Sequence, residues 1–313
     1  MSELRVEEQD PAALPAGTTT RSYELLVVTY RSRRQLEQML RSVPADAALA
    51  VVDNARGIDH VEDLLDRRPH ARYLDSGGDA GFARAANLAA RTSSHPYLIF
   101  ASPDSRPDVA VCAALVAQLH SDPTVGSCAA NTIDGDGTAD FVGGWEPTLW
   151  RLLIQAVGLH HLFPRAGVWY RAQPGEVTEL GWLAGETLAV RREEFLALGG
   201  WDERYFLYNE DMSLGRRMRE AGRRQVLRGD LTVTHLTVGS GAPSAFMLRH
   251  RGASMTAYLR DHNSTTSALL MQMVVVTGTV GRLVKDLVAR RRHKVVEYRA
   301  YLHGLLFGRG PLS

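Results

Sequence analysis

The clearest pattern along the chain is a set of short apolar runs separated by segments with helical spacing. Glu24 to Thr29 carries Leu25, Leu26, Val27 and Val28 in succession, and Leu49 to Val52 repeats the pattern before ending at Asp53. Arg72 to Leu74 is a weaker run, and Tyr97 to Ala101 is a fourth that leads into Ser102-Pro103-Asp104. Continuous apolar runs of this length predict strands buried on both faces. Gln35 to Arg41, Val61 to Asp66, Phe82 to Ala90 and Val109 to Leu119 show helical spacing between and after them. Strands alternating with helices predict βαβ units and a mostly parallel central sheet flanked by helices.

The pattern then changes. Asp134-Gly135-Asp136-Gly137 is a hairpin turn signal. Gly143 to Gly175 is aromatic and irregular and reads as an inserted lobe. Strand character returns over Val177 to Val190 and Val226 to Thr234, with helices predicted over Arg191 to Leu198 and Glu210 to Ala221. Gly199-Gly200 and Gly222 punctuate the ends of those helices. From Pro243 onward the chain reads as helical. The predicted organisation is a disordered arm over 1–22, a folded domain over 23–242 and a helical region over 243–313. The folded domain divides where the pattern changes, into 23–130 and 131–242.

Composition narrows this little. The 313 residues are 45% hydrophobic and 23% charged, with a formal net charge of +1, so nothing points to nucleic acid as a partner. Cys112 and Cys128 lie in apolar stretches without a Cys-x-x-Cys pair, which argues against a zinc or redox motif. The N-terminal stretch lacks the apolar core of a signal peptide, so the expected location is cytoplasmic. No charged residue occurs between His262 and Arg282, and Arg282, Lys285, Arg290, Arg291, Arg292 and Lys294 follow. Polar residues dilute that stretch. It suits a helix lying at a bilayer interface, or packed on a partner such as a second copy, better than a spanning one. A core helix with a solvated basic end is the plain alternative.

Five places could carry chemistry, each with an ordinary structural explanation beside it. Asp53 ends a strand, where open α/β sheets bind ligands, although Asp-Asn is also common turn chemistry. Gly77 to Arg84 is a glycine-rich entry into a helix, equally a tight turn. Asp104 could hold a divalent cation against a diphosphate, or could serve the turn after Pro103. Glu210-Asp211 could supply a general base, or could complement a helix dipole. His235 could ligate a metal, or be structural.

Taken in order, these motifs resemble the family 2 glycosyltransferases, which have the GT-A fold. Val27-Val28-Thr29-Tyr30-Arg31-Ser32 is similar to the family's opening Val-Val-Thr-Tyr-Asn-Ser. Val51-Val52-Asp53-Asn54 is similar to its base-reading motif. Asp79 to Asn87 is similar to Asn-x-Gly-Phe-Ala-x-x-x-Asn, and Ser102-Pro103-Asp104 to Asn-Pro-Asp. The longest match runs from Gly199 to Leu214 and resembles Gly-Gly-Phe-Asp-Glu-x-Phe-Phe-x-Tyr-x-Glu-Asp-x-Asp-Leu. The resemblance covers about Leu25 to Ser240 and looks closest to bacterial rhamnosyltransferases.

The resemblance implies a GT-A nucleotide-diphospho-sugar transferase fold with a helical C-terminal extension, and a single-displacement, inverting sugar transfer. Asp211 would be the catalytic base. Asp104 and His235 would hold Mg2+ or Mn2+. Thr29, Tyr30, Arg31, Asp53, Gly81, Phe82, Asn87, Ser102 and Asp104 would bind the nucleotide and donor. Trp182, Gly185, Glu186, Trp201, Asp202 and Glu210 would border donor sugar and acceptor. A dTDP- or UDP-sugar donor is implied, with dTDP-rhamnose favoured. The acceptor would be a glycan, a lipid-linked carrier or a small molecule, and peripheral contact at the inner face of the plasma membrane would follow. Arg31, Asp79, Ser102 and Ser213 depart from the family pattern, and Glu186 stands where a small residue is common. A dinucleotide oxidoreductase would need a glycine fingerprint after the first strand, and Thr29 to Arg34 contains no glycine. A catalytically silent protein on the same fold is the competing class.

Overall fold

A computed structural model describes residues 22–235 and 244–308. The N-terminal arm and the Gly239-Ser240-Gly241 segment lie outside the described residues. The first half runs β1 (Tyr23–Thr29), α1 (Arg33–Leu40), β2 (Leu49–Asp53), β3 (Ala71–Asp75), α2 (Phe82–Thr92), β4 (Tyr97–Ala101), β5 (Ser105–Arg106), α3 (Val109–Ser121) and β6 (Val125–Ile133). Then follow β7 (Phe141–Gly144), α4 (Leu149–Val157), β8 (Trp169–Arg171), β9 (Val177–Leu180), β10 (Trp182–Leu183) and β11 (Thr187–Arg191). The chain continues through α5 (Arg192–Ala197), α6 (Glu210–Glu220), β12 (Arg224–His235), α7 (Ala245–His262), α8 (Thr265–Val288) and α9 (Arg292–Phe307).

The main sheet has the order β3-β2-β1-β4-β11-β6-β12-β5, with β9 added on β12. β1, β2, β3 and β4 pair in parallel, as do β6 and β12, while β11 is antiparallel to both of its neighbours. The pleat sorts each apolar run onto two faces. Leu25, Val27, Val51 and Ile99 meet Leu36, Met39, Leu115 and Leu119 of α1 and α3. Leu26, Val52, Leu98 and Phe100 meet Ala83, Ala86, Ala89 and Ala90 of α2. Small residues on α2 let that helix lie close to the sheet.

One expectation changes. The segment predicted as a helix over Val61 to Asp66 forms only a single tight turn at Val61–Leu64, since Pro69 soon follows and Val61 alone of the four is buried. The Asp134 to Gly137 turn forms and closes an antiparallel bridge, Ile133 to Ala139. The Asp134 carboxylate accepts from the Asp136 and Thr138 amides, and backbone bonds from Asp134 to Thr138 and from Asp140 to Thr132 close the turn beside it.

The aromatic stretch builds a small second sheet, β10-β7-β8, and α4. α7, α8 and α9 share a third core with it, joining Trp182, Tyr205 and Met212 to Met255, Tyr258, Leu259 and Met271. Glycines allow α7 and α9 to cross closely: a Cβ on Gly304 would collide with the Arg249 carbonyl, and one on Gly252 with the Tyr301 carbonyl. The C-terminal helices are therefore packed onto the segment that precedes α6.

Asn87 ties α2 to that same segment. Its side-chain amide donates to the Trp201 carbonyl at 2.8 Å and to Glu203 at 3.0 Å, and its oxygen accepts from the Trp201 amide at 2.8 Å. Replacing Asn87 by Ala strands two buried backbone groups, which should cost about 2–4 kcal/mol. Urea denaturation measures this, and a loss below about 0.5 kcal/mol would contradict the role.

Candidate active site

The candidate residues gather at one edge of the main sheet, outside the carboxyl ends of its parallel strands, where α/β folds place ligands. The pairing register sets this. Thr29 lies opposite Asp53, Thr187 opposite Ala101, and His235 opposite Ser105. The loops carrying Tyr30, Asp53, Asp104, Glu186 and His235 therefore open on the same side.

Asp104 and His235 meet directly, with Asp104 Oδ1 2.9 Å from His235 Nε2. The Ser102 hydroxyl also donates to Asp104, and the Ser102 amide donates to the Glu186 carbonyl at 3.0 Å. Burial alone would raise the Asp104 carboxyl. The His235 hydrogen bond and charge, with the Ser102 bond, hold it below the usual carboxylate range instead. Burial would lower the imidazole, but the Asp104 bond and the charges of Glu186, Asp104 and Asp140 lift it to about 9. Burial raises Glu186 to about 7, with Asp140, Asp104 and Asp211 adding to the rise and His235 opposing it.

Asp211 and Glu210 begin α6. Two consecutive left-handed residues, Tyr208 at φ 66° and Asn209 at φ 67°, turn the chain sharply just before them. That conformation is rare outside glycine and marks a position held by its surroundings. Asp211 Oδ1 accepts from the Met212 amide at 2.7 Å. Burial raises the Asp211 carboxyl to about 6, while the Met212 amide and the Arg251 charge oppose the rise. Glu210 is buried, its Oε2 has no partner, and burial with the adjacent Asp211 charge raises its pKa well above the usual range.

The other sequence-predicted residues divide. Tyr30 is exposed, Arg31 has φ 52° with its guanidinium 5.6 Å from the Tyr30 ring, and the buried Thr29 hydroxyl has no partner. Gly81 permits a contact no other residue could make, since a Cβ there would collide with the Phe206 carbonyl. Phe82 donates its amide to that same carbonyl, at 3.0 Å. Gly185 faces the rings of Phe82 and Trp201.

Asp53 is fully buried and caps its own turn, accepting from the amides of Ala55 at 2.7 Å and Gly57 at 2.5 Å and from the Tyr73 hydroxyl at 3.0 Å. Asn87, expected beside the donor, commits its polar atoms to Trp201 and Glu203. Trp201 is buried among Phe82, Phe100 and Phe195 beneath the cleft. Trp182 is buried against Trp169 and donates to the Trp145 carbonyl at 3.2 Å. Asp202 is paired with Arg204 and accepts from the Ser213 hydroxyl at 3.2 Å. In this arrangement those five side chains shape the site from behind.

The helical reading from Pro243 onward includes α7 but missed its contact with the cleft. Ser254 donates to the Leu207 carbonyl at 2.8 Å, Asp261 pairs with Arg204 and accepts from the Tyr205 hydroxyl, both at 3.1 Å, and the Phe206 ring lies 4.7 Å from that of His250. Arg251 projects from this helix toward Tyr208 and Trp169. No local motif marks it; only packing brings it to the cleft.

Comparison with known proteins accords with this geometry. The model of the family described as Glycosyl transferase family 2 matches residues 25–169. An N-acetylglucosaminyl-diphospho-decaprenol L-rhamnosyltransferase, found in two strains of Mycobacterium tuberculosis, is 30% identical over an alignment covering 79% of this chain and 83% of the relative. The chain belongs to glycosyl transferase family 2. It is a glycosyltransferase with the GT-A fold. A mannosyltransferase from Pyrobaculum calidifontis, solved with GDP-Man and Mn2+, shares that fold at a TM-score of 0.55 and 16% identity, covering 95% of this chain and 86% of that one.

Among the described residues of this glycosyltransferase, no group of three or more His, Cys, Asp or Glu side chains could hold a metal ion. Asp104 and His235 still fit as two ligands of an ion whose other ligands come from a diphosphate and water, because a carboxylate and an imidazole suit Mg2+ or Mn2+.

The buried carboxyl of Glu210 has a stability consequence. A folded pKa above the unfolded one gives stability that is full below the unfolded value and is lost as pH rises toward the folded value. Glu210→Gln removes that loss. Its melting temperature should exceed that of the parent at pH 8, with the difference shrinking at pH 5. An equal difference at both pH values would show that Glu210 does not carry the titration.

Proposed function

We propose that this glycosyltransferase moves rhamnose from dTDP-rhamnose to a hydroxyl of an N-acetylglucosaminyl diphospholipid, by a single inverting displacement assisted by Mg2+ or Mn2+. The observation that supports this reading is the Asp104–His235 contact beside Glu186, whose carboxyl also feels the charge of the buried Asp211. The relative's rhamnosyl transfer to a decaprenyl diphosphate-linked sugar supports the choice of donor and acceptor class.

In this mechanism the Asp211 carboxylate accepts the proton of the acceptor hydroxyl as its oxygen attacks the anomeric carbon. The bond from that carbon to the phosphate oxygen breaks, and dTDP leaves with the electron pair. Asp104 and His235 would hold the divalent ion, which would supply positive charge to the diphosphate. Thr29, Tyr30 and Arg31 border the nucleotide, Ser102 orients Asp104, and Asp53 holds the turn that borders the base. Glu186, Gly185 and Phe82 border the sugar. Burial and the adjacent Asp211 charge raise the Glu210 carboxyl, which favours its neutral form beside an ionised Asp211.

A lipid-linked acceptor places the enzyme at the inner membrane face. α8 is 24 residues long, its most apolar window is 22% buried, and by length and composition alone it could cross a membrane. Leu270, Met273, Val284 and Leu287 on it are exposed. A cavity of about 1060 Å³ between α4 and α8 is lined by Leu149, Leu153 and Met273 at its apolar part and by Arg282, Lys285 and Arg291 at its basic part. Apolar side chains beside cations suit peripheral contact with an anionic bilayer.

Two measurements test the chemistry. Because the base must be ionised, kcat/KM should fall tenfold per pH unit below about pH 6, the value to which burial raises Asp211. Asp211→Asn should lose at least about a thousandfold in turnover while still binding dTDP. A profile flat to pH 4.5, or comparable turnover in the variant, would remove Asp211 as the base. Asp104→Ala should abolish the Mn2+-dependent part of dTDP binding in calorimetry, and unchanged affinity would sink the metal assignment.

A further inference from the structure

Arg251 is held as a binding group without a binding partner. Its guanidinium carbon lies 4.7 Å from the Trp169 ring centroid and 5.7 Å from that of Tyr208. Two aromatic faces at such distances fix a guanidinium by cation–π attraction while leaving its N–H edge free. Both platforms are themselves fixed. Trp169 packs edge-on against the buried Trp182 at 5.0 Å, and Tyr208 sits in the left-handed turn before Glu210 and Asp211. The hydrogen bonds and ion pairs of the described residues include none to the Arg251 side chain, although Ser254 and Asp261 of the same helix bind the 204–212 segment. Its charge nonetheless opposes the rise of the Asp211 and Tyr208 carboxyl and phenol, which locates it beside the reacting end of the cleft.

A planar fork of uncommitted donors at that point matches the oxygens of a phosphate. The donor's diphosphate belongs with Asp104 and His235, at the ends of β4 and β12. Arg251 lies by Asp211, the proposed base that faces the acceptor hydroxyl, carried by α7 with its guanidinium against Trp169 of β8. We propose that Arg251 binds the diphosphate linkage of the acceptor, and so selects sugar-diphosphate acceptors over neutral glycosides. This rests on the acceptor class proposed above.

The test compares R251M and R251K with the parent on two acceptors: a short-chain N-acetylglucosaminyl diphospholipid and octyl N-acetylglucosaminide. Calorimetry with dTDP and Mn2+ serves as a check on folding and on the donor site. Assayed at pH 8, where Asp211 is ionised in parent and variant alike, R251M should raise KM for the diphospholipid at least tenfold, with kcat within about threefold, consistent with loss of a charged hydrogen-bonded contact. KM for the neutral glycoside and the dTDP affinity should not change, and R251K should fall between, because it keeps the charge and loses the fork. An equal rise in KM for both acceptors would overturn the proposal, as would weakened dTDP binding, which would move Arg251 to the donor diphosphate. Parent turnover of the diphospholipid with R251M unchanged would overturn this proposal alone. A parent that uses neither acceptor would overturn the acceptor class on which it rests.

Discussion

The structure depends on how the segment between Gly199 and Met212 is gripped. From one side, Asn87 binds both backbone groups of Trp201, and the Phe82 amide binds the Phe206 carbonyl at a contact that only a glycine at position 81 permits. From the other side, α7 binds the Leu207 carbonyl, Tyr205 and Arg204. Between these grips the chain is forced through two left-handed residues. That strain is held by packing, and its result is to present Glu210 and Asp211 at the cleft with little freedom to move.

That rigidity gives the electrostatics their character. Four carboxyls, Asp104, Glu186, Glu210 and Asp211, share a small, partly desolvated region with few fixed cations. Burial raises three of them, while Asp104 is kept ionised by its contact with His235. A site so rich in carboxyls favours binding a cation and keeps one carboxyl near neutrality, where it exchanges protons readily. The same physics needs Arg251, which supplies positive charge from outside the sheet.

The helices after β12 are thereby part of the catalytic architecture as well as a surface. α7 turns one face to the 204–212 segment, while α8 leaves apolar and basic side chains uncovered. One layer thus braces the 204–212 segment with one helix and leaves an apolar and basic surface on another.

Much of the main sheet was legible in sequence because both its signals are local. Apolar runs such as Leu25 to Val28 must be buried on both faces, and the spacing between them fits only helical connections. Glu210-Asp211, Asp104 and His235 were legible because their motifs lie in order along the chain. The Val61 turn was misjudged as a longer helix, since local propensity does not report what a neighbouring segment leaves room for. The sequence by itself determined the sheet, its helical layers and the chemical types at the cleft. Only the tertiary structure decided that Asn87, Trp201 and Asp202 brace the cleft from behind, that Asp53 is turned into its own turn, and that Arg251 belongs to the site. The reason is physical: burial, the partner of a polar atom and the direction of a side chain are set by residues distant in sequence, and no local pattern encodes them.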